Sequence, residues 1–216
     1  MRRALLALAL FVPLAAIAAS HDIDNISDDI HVAAGQQAGN LSTVSGDVDV
    51  GDRATVGKAS TVSGSVTLGR QAQARELGTV SGDIRVGMGA GVAGSVDSVS
   101  GSIHLAQGAR VQGHLSNVSE SITLEDAQVA GGIETVAGDI TVGAGSHVAG
   151  GILVDRPDHQ GIHFGNSHTP VIVIGPHAVV QGTLDFRRPV ILKVSDSAQI
   201  GTVKGATVEK FSGAAP

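Results

Sequence analysis

The chain has 216 residues, 42% hydrophobic but only 2% aromatic, with 30 glycines, no Cys, Trp or Tyr, and a formal net charge of −6. A disordered chain would hold fewer Val, Ile and Leu, and an ordinary enzyme of this size would hold more aromatic anchors. Zero Cys excludes a disulfide scaffold, a thiolate metal site and a Cys nucleophile. The glycines lack the three-residue period of collagen. What remains is a repetitive β protein with a core of small and β-branched side chains.

In chain order, residues 1–20 come first. They begin Met1-Arg2-Arg3, run through the apolar stretch Ala4–Ala18 and close on small residues up to Ser20. This is the layout of a secretory signal peptide, and the stretch is too short to favour a permanent membrane span. No Cys follows it, so no lipid anchor is expected. Removing Arg2 and Arg3 leaves 12 cations against 20 carboxylates, about −8 by formal count. The mature protein is expected to be acidic and periplasmic or secreted. With no basic excess and no stacking aromatics, nucleic acid is not expected as a partner.

The repeat starts at once. Ile26-Ser-Asp-Asp-Ile30, Val44-Ser-Gly-Asp-Val48, Val62-Ser-Gly-Ser-Val66 and Val80-Ser-Gly-Asp-Ile84 are spaced by 18. Val99-Ser-Gly-Ser-Ile103, Val118-Ser-Glu-Ser-Ile122 and Val136-Ala-Gly-Asp-Ile140 continue the series at steps of 18 or 19. A finer period of six runs through Val44, Val50, Val56, Val62, Leu68 and Ala74. Three sixes make one turn of a three-sided solenoid, with alternation of period two along each short strand. On that reading Val44, Val62, Val80, Val99, Val118 and Val136 stack in one interior column. Gly46, Gly64, Gly82, Gly101 and Gly138 mark one corner, where positive φ is expected, and Glu120 in their place is expected to be strained. The in-register Asp47, Asp83 and Asp139, interleaved with Ser65, Ser102 and Ser121, are read as corner caps rather than a catalytic carboxylate pair.

The step breaks after Val154 and resumes at Ile174-Gly-Pro-His-Ala178-x-Val180, which matches Val142-Gly-Ala-Gly-Ser146-x-Val148. About fourteen residues are therefore inserted, as a loop over 155–170. One further coil follows at Leu192-x-Val194 and Ala198-x-Ile200. The prediction is an all-β, single-stranded three-sided β-helix of about nine coils over 21–204, roughly 40 Å long, of undecided hand. A tail at 205–216 is expected to cap it, with Phe211 folding over the last coil and Phe164 and Phe186 packing near the insertion. The N-terminal end is then the open one, and association is expected to join two molecules there.

The six-residue period and the Ile174-Gly-x-x-Ala178-x-Val180-x-Gly182 phrase resemble the hexapeptide-repeat β-helices, often acyltransferases, and the bactofilins, which form bacterial cytoskeletal polymers. The Thr79-Val-Ser-Gly-Asp-Ile84 phrase is similar to that of the adhesin-type β-solenoids of bacterial envelopes. These resemblances cover about residues 26–204 and imply architecture. The bactofilin likeness implies polymer formation, although that family is mostly cytoplasmic and lacks an export signal. The hexapeptide likeness implies a general-base His, for which His163 on the inserted loop is the candidate.

Three kinds of surface candidate remain. His159, His163 and His168 in the insertion carry nitrogen donors, but their spacing matches no established metal site; no metal and no cofactor is expected. His104, His114 and His147 read as surface residues on different coils. Thr43, Ser45, Thr61, Ser63, Thr79, Ser81, Ser98 and Ser100 form two hydroxyl columns flanking valines expected inside, a regular face suited to glycan or ice. No catalytic constellation is present, so the leading expectation is an exported, non-catalytic structural or adhesin-like solenoid. It would act through its surface, with envelope glycan as a partner, or through its ends.

Overall fold

The computed structural model describes residues 21–156 and 168–216. Every described strand is parallel to its neighbours and lies one coil away from them, so the chain winds as a β-solenoid of about nine turns. One side is a ten-stranded sheet that begins at Ile30–Val32, Val48–Val50 and Val66–Leu68 and ends at Ile191–Ser195 and Val208–Phe211. Its register is strict: Ile103 sits beside Ile84 on one hand and Ile122 on the other. The other two sides form a 16-stranded sheet, because the seven-residue strands Thr55–Thr61 and Gln73–Thr79 run through the corner between them.

Each side sends two side chains inward per coil. On the first side these are pairs such as Val66 and Leu68, or Ile103 and Leu105; on the second, Ala54 and Val56, or Ala109 and Val111. On the third they are Ala59 and Thr61, Leu77 and Thr79, or Leu115 and Asn117. Since each coil is one strand thick, none can bury these groups without the coil above and below. Full burial of each large side chain contributes about 1.5–3 kcal/mol.

The third side corrects the sequence reading. Val44, Val62, Val80, Val99 and Val118 are 39–46% exposed, while Thr43, Thr61, Thr79, Ser98, Asn117 and Thr135 are at most 6% exposed. Inward positions run Val50, Val56, Thr61, Leu68, so the steps are six, five and seven, and the average of six hides a slip. A one-residue slip exchanges the faces of a strand. Threonine can take the inner place because its hydroxyl finds a partner: Thr61 and Thr79 Oγ1 each donate to the carbonyl of the corner glycine one coil back, Gly46 and Gly64, at 2.9 Å.

Those corner glycines are required for a different reason than expected. None has positive φ. A Cβ on Gly64 or Gly82 would sit 2.1 or 2.0 Å from the carbonyl oxygen of the glycine beneath it, so only hydrogen fits where backbones stack this closely. Positive φ occurs at another corner, in the column Gly35, Arg53, Gln71, Gly89, Gly108, Asp126, Gly145 and His177. Glu120 is not strained: it lacks positive φ, and its carbonyl accepts from Asn117 Nδ2 at 2.7 Å.

The coils on either side of the insertion pair in register. Val142 pairs with Ile174 and Val148 with Val180. Phe186 turns inward beside Val154 and is 4% exposed; Phe164 lies outside the described residues. Phe211, by contrast, does not fold across the last coil. It ends the strand Val208–Phe211, pairs with Ser195 and is half-buried. Ala198, Ile200, Val203 and Val208 are correspondingly only half-buried, whereas Ile30 and Val32 near the other end are 2% and 5% exposed. Ile23 and Ala38 at the other end are also only partly buried, so both end coils of the described residues are less enclosed than the middle.

Candidate functional surfaces

The hydroxyl columns separate in the structure. Thr43, Thr61, Thr79 and Ser98 point into the core, and Ser45, Ser63, Ser81 and Ser100 are exposed. The two-column face expected from the sequence is therefore not formed, because the intervening valine points out rather than in. What stands on the surface is a ridge of Ile26, Val44, Val62, Val80, Val99 and Val118 with a row of serines beside it. Among the inward column, Ser98 Oγ is buried with no hydrogen-bond partner among the described residues.

The in-register aspartates act on the backbone. Asp29, Asp47, Asp83 and Asp139 each accept, through Oδ1, the N–H of a residue one coil on: Asp47, Ser65, Ser102 and Val171, at 2.8–2.9 Å. They cap the coils on which they occur, with Ser65, Ser102 and Ser121 at the same position on the coils between.

Of the loop histidines, His159 and His163, the latter the transferase candidate, lie outside the described residues. His168 is at the exit of the insertion, its Nε2 2.7 Å from Asp139 Oδ1. Arg188 bridges the same region, donating to the carbonyls of Val136 at 2.8 Å and His168 at 3.0 Å. At the entry, Asp155 accepts from the Arg156 N–H and faces Arg187 at 3.3 Å. The Arg156 backbone N–H, and then the Arg187 guanidinium, hold the Asp155 carboxyl below its ordinary value; Asp155 in turn raises Arg187. Both ends of the insertion are therefore anchored to the coils. His104 and His114 each lie near one carboxylate, Glu125 at 3.7 Å and Asp97 at 3.5 Å. Among the described residues no three His, Asp or Glu side chains converge as a metal site.

Two surface clefts were not anticipated. One, of about 350 Å³, is lined by Asp52, Arg53, Arg70, Gln71 and Met88 at the positive-φ corner. The other, of about 130 Å³, adjoins it through Gly89 and is bordered by Gln73, Arg110 and Gln112. No motif marks them, and the signal that would have found them is the distribution of charge along the rod.

Comparison with protein-family models, with curated proteins and with solved structures returns no match.

Proposed function

We propose that the chain is an exported, non-catalytic structural or adhesin-like solenoid that acts through its long sides or by end-to-end assembly. The observation that carries this reading is the strand edge at each end of the described coils. Among the described residues Ile30–Val32 pairs only with Val48–Val50, and Val208–Phe211 only with Ile191–Ser195. Such edges are templates for further strands, and the half-buried Ile200, Val203 and Val208 add apolar surface at one of them. Assembly through the last described coil is compatible with this, as is the joining of N-terminal ends expected from the sequence. The leader-like residues 1–20 support export, and the polymer-forming and adhesin-type likenesses of the repeat support a scaffold role.

Electron microscopy and sedimentation of the protein purified from its own cells, together with cell fractionation, test the reading. Ordered oligomers or filaments in the envelope or secreted fraction are expected. A strictly monomeric protein in the cytoplasmic fraction would overturn it.

A further inference from the structure

In a rod, position in sequence is position along the axis, so charge segregated in the sequence is charge segregated in space. Residues 21–52 hold seven Asp and no Lys or Arg, and residues 111–155 hold six acids and again no Lys or Arg. Between them, residues 53–110 hold six basic residues against three acids. This positive band covers about three coils, roughly 15 Å of the axis. Its half-width is about one Debye length at physiological ionic strength, roughly 8 Å, so the acidic flanks are screened from the band only in part and its own cations are the nearest charges to a ligand seated in it.

Both clefts are lined mainly by its residues, with Asp52 and Gln112 joining them from just beyond its two edges. Stacking places the Arg53 and Arg70 backbones in adjacent coils, with Arg53 N–H donating to Arg70 O at 2.8 Å. On the neighbouring side the register runs Gln73, Gly91, Arg110, and the Gln73 amide lies over the notch that Gly91 leaves. The other bases of the band are engaged: Lys58 with Glu76, Arg85 with Asp83, Arg75 with Asn40. The Arg53 and Arg110 guanidinia have no side-chain partner among the described residues, and Arg70 meets only the Met88 sulfur, at 3.7 Å. The one carboxylate in the larger cleft, Asp52, spends Oδ1 on the Arg70 N–H.

We propose that these clefts bind an acidic polysaccharide, bearing carboxylate or sulfate groups, across Arg53, Arg70 and Arg110. Free guanidinium forks match such groups in pairs of hydrogen bonds, and the amides of Gln71, Gln73 and Gln112 offer donors and acceptors to sugar hydroxyls. With no Trp or Tyr in the chain and no Phe lining either cleft, a neutral sugar has no ring there on which to stack, so recognition rests on the guanidinia and the glutamine amides acting together. The site is separate from the serine row, and a monomeric solenoid carries it as well as an assembled one.

The test is calorimetric titration of the full chain with four probes of similar length: oligogalacturonate, dextran sulfate, uncharged dextran and polyglutamate. Binding of one or both acidic sugars is expected, with little or none for dextran or polyglutamate. The double variant Arg53→Gln/Arg70→Gln and the single Arg110→Gln should each weaken it tenfold or more. Gln is tolerated at 53, since Gln71 already holds the same left-handed conformation one coil away. The control Lys193→Gln/Lys204→Gln, outside the band, should bind unchanged, and circular dichroism checks that each variant is folded. No binding of either acidic sugar, equal binding of dextran or polyglutamate, or equal weakening by the control pair would overturn the proposal.

Discussion

Thr61→Val and Val62→Thr are isosteric changes at adjacent positions, and the structure assigns them opposite weights. Thr61 is 5% exposed and its Oγ1 donates to Gly46 O at 2.9 Å; Val62 is 44% exposed. Valine at 61 keeps the volume but leaves a buried carbonyl without its donor, which costs about 1–3 kcal/mol. For a chain of this size each kcal/mol shifts Tm by about 2–4 °C, so a fall of roughly 2–12 °C is expected. Threonine at 62 should stay within about 0.5 kcal/mol of the parent, as surface changes do. Thermal unfolding followed by circular dichroism at one scan rate, with urea titration alongside, measures both. If Thr61→Val is neutral and Val62→Thr strongly destabilising, the valine column is inside and the phase of the third side described here is wrong.

Gly82→Ala should destabilise by about 3 kcal/mol or more, because its Cβ would meet Gly64 O at 2.0 Å; a urea midpoint equal to the parent's would refute the close stacking. Ser98→Ala removes a buried hydroxyl that has no partner among the described residues and should leave stability unchanged or raise it by up to about 1 kcal/mol, whereas a clear loss in the same titration would mean that Oγ is bonded. Asp155 has its folded-state value lowered, so its contribution is fully present above 3.8 and is lost as the pH falls further. Asp155→Asn should therefore flatten the acid side of the stability profile below that value, and an unchanged slope would remove Asp155 from the clamp of the insertion.

The sequence was legible wherever one residue type could do the inward job. On the first two sides that job is to fill apolar volume, and the pairs Ile103-x-Leu105 and Ala109-x-Val111 announce it at period two. On the third side Thr61 and Asn117 also satisfy a corner carbonyl, so the inward residue is polar. The conspicuous valine beside it stands outside. A regular average step of six concealed five and seven. The glycine columns were visible, but a glycine required by a stacked carbonyl looks the same in sequence as one required by its φ. The left-handed corner was hidden, since Arg53, Gln71, Asp126 and His177 occupy it along with glycines. Of the candidate residues, Ser45, Ser63, Ser81 and Ser100 face out as the sequence reading had them, and Thr43, Thr61, Thr79 and Ser98 face in against it. The arginine clefts were missed because their residues are dispersed at intervals of about one coil, and no local motif joins them.

Every surface assignment depends on which side chains face inward, and the chain has no Cys, so single cysteines can be introduced into a silent background. Thiol labelling under native conditions of Ala59→Cys, Ser60→Cys, Thr61→Cys, Val62→Cys and Ser63→Cys measures that phase directly. The account predicts protection at 59 and 61 and rapid labelling at 62 and 63, with 60 between them. Protection at 62 with labelling at 61 would contradict it.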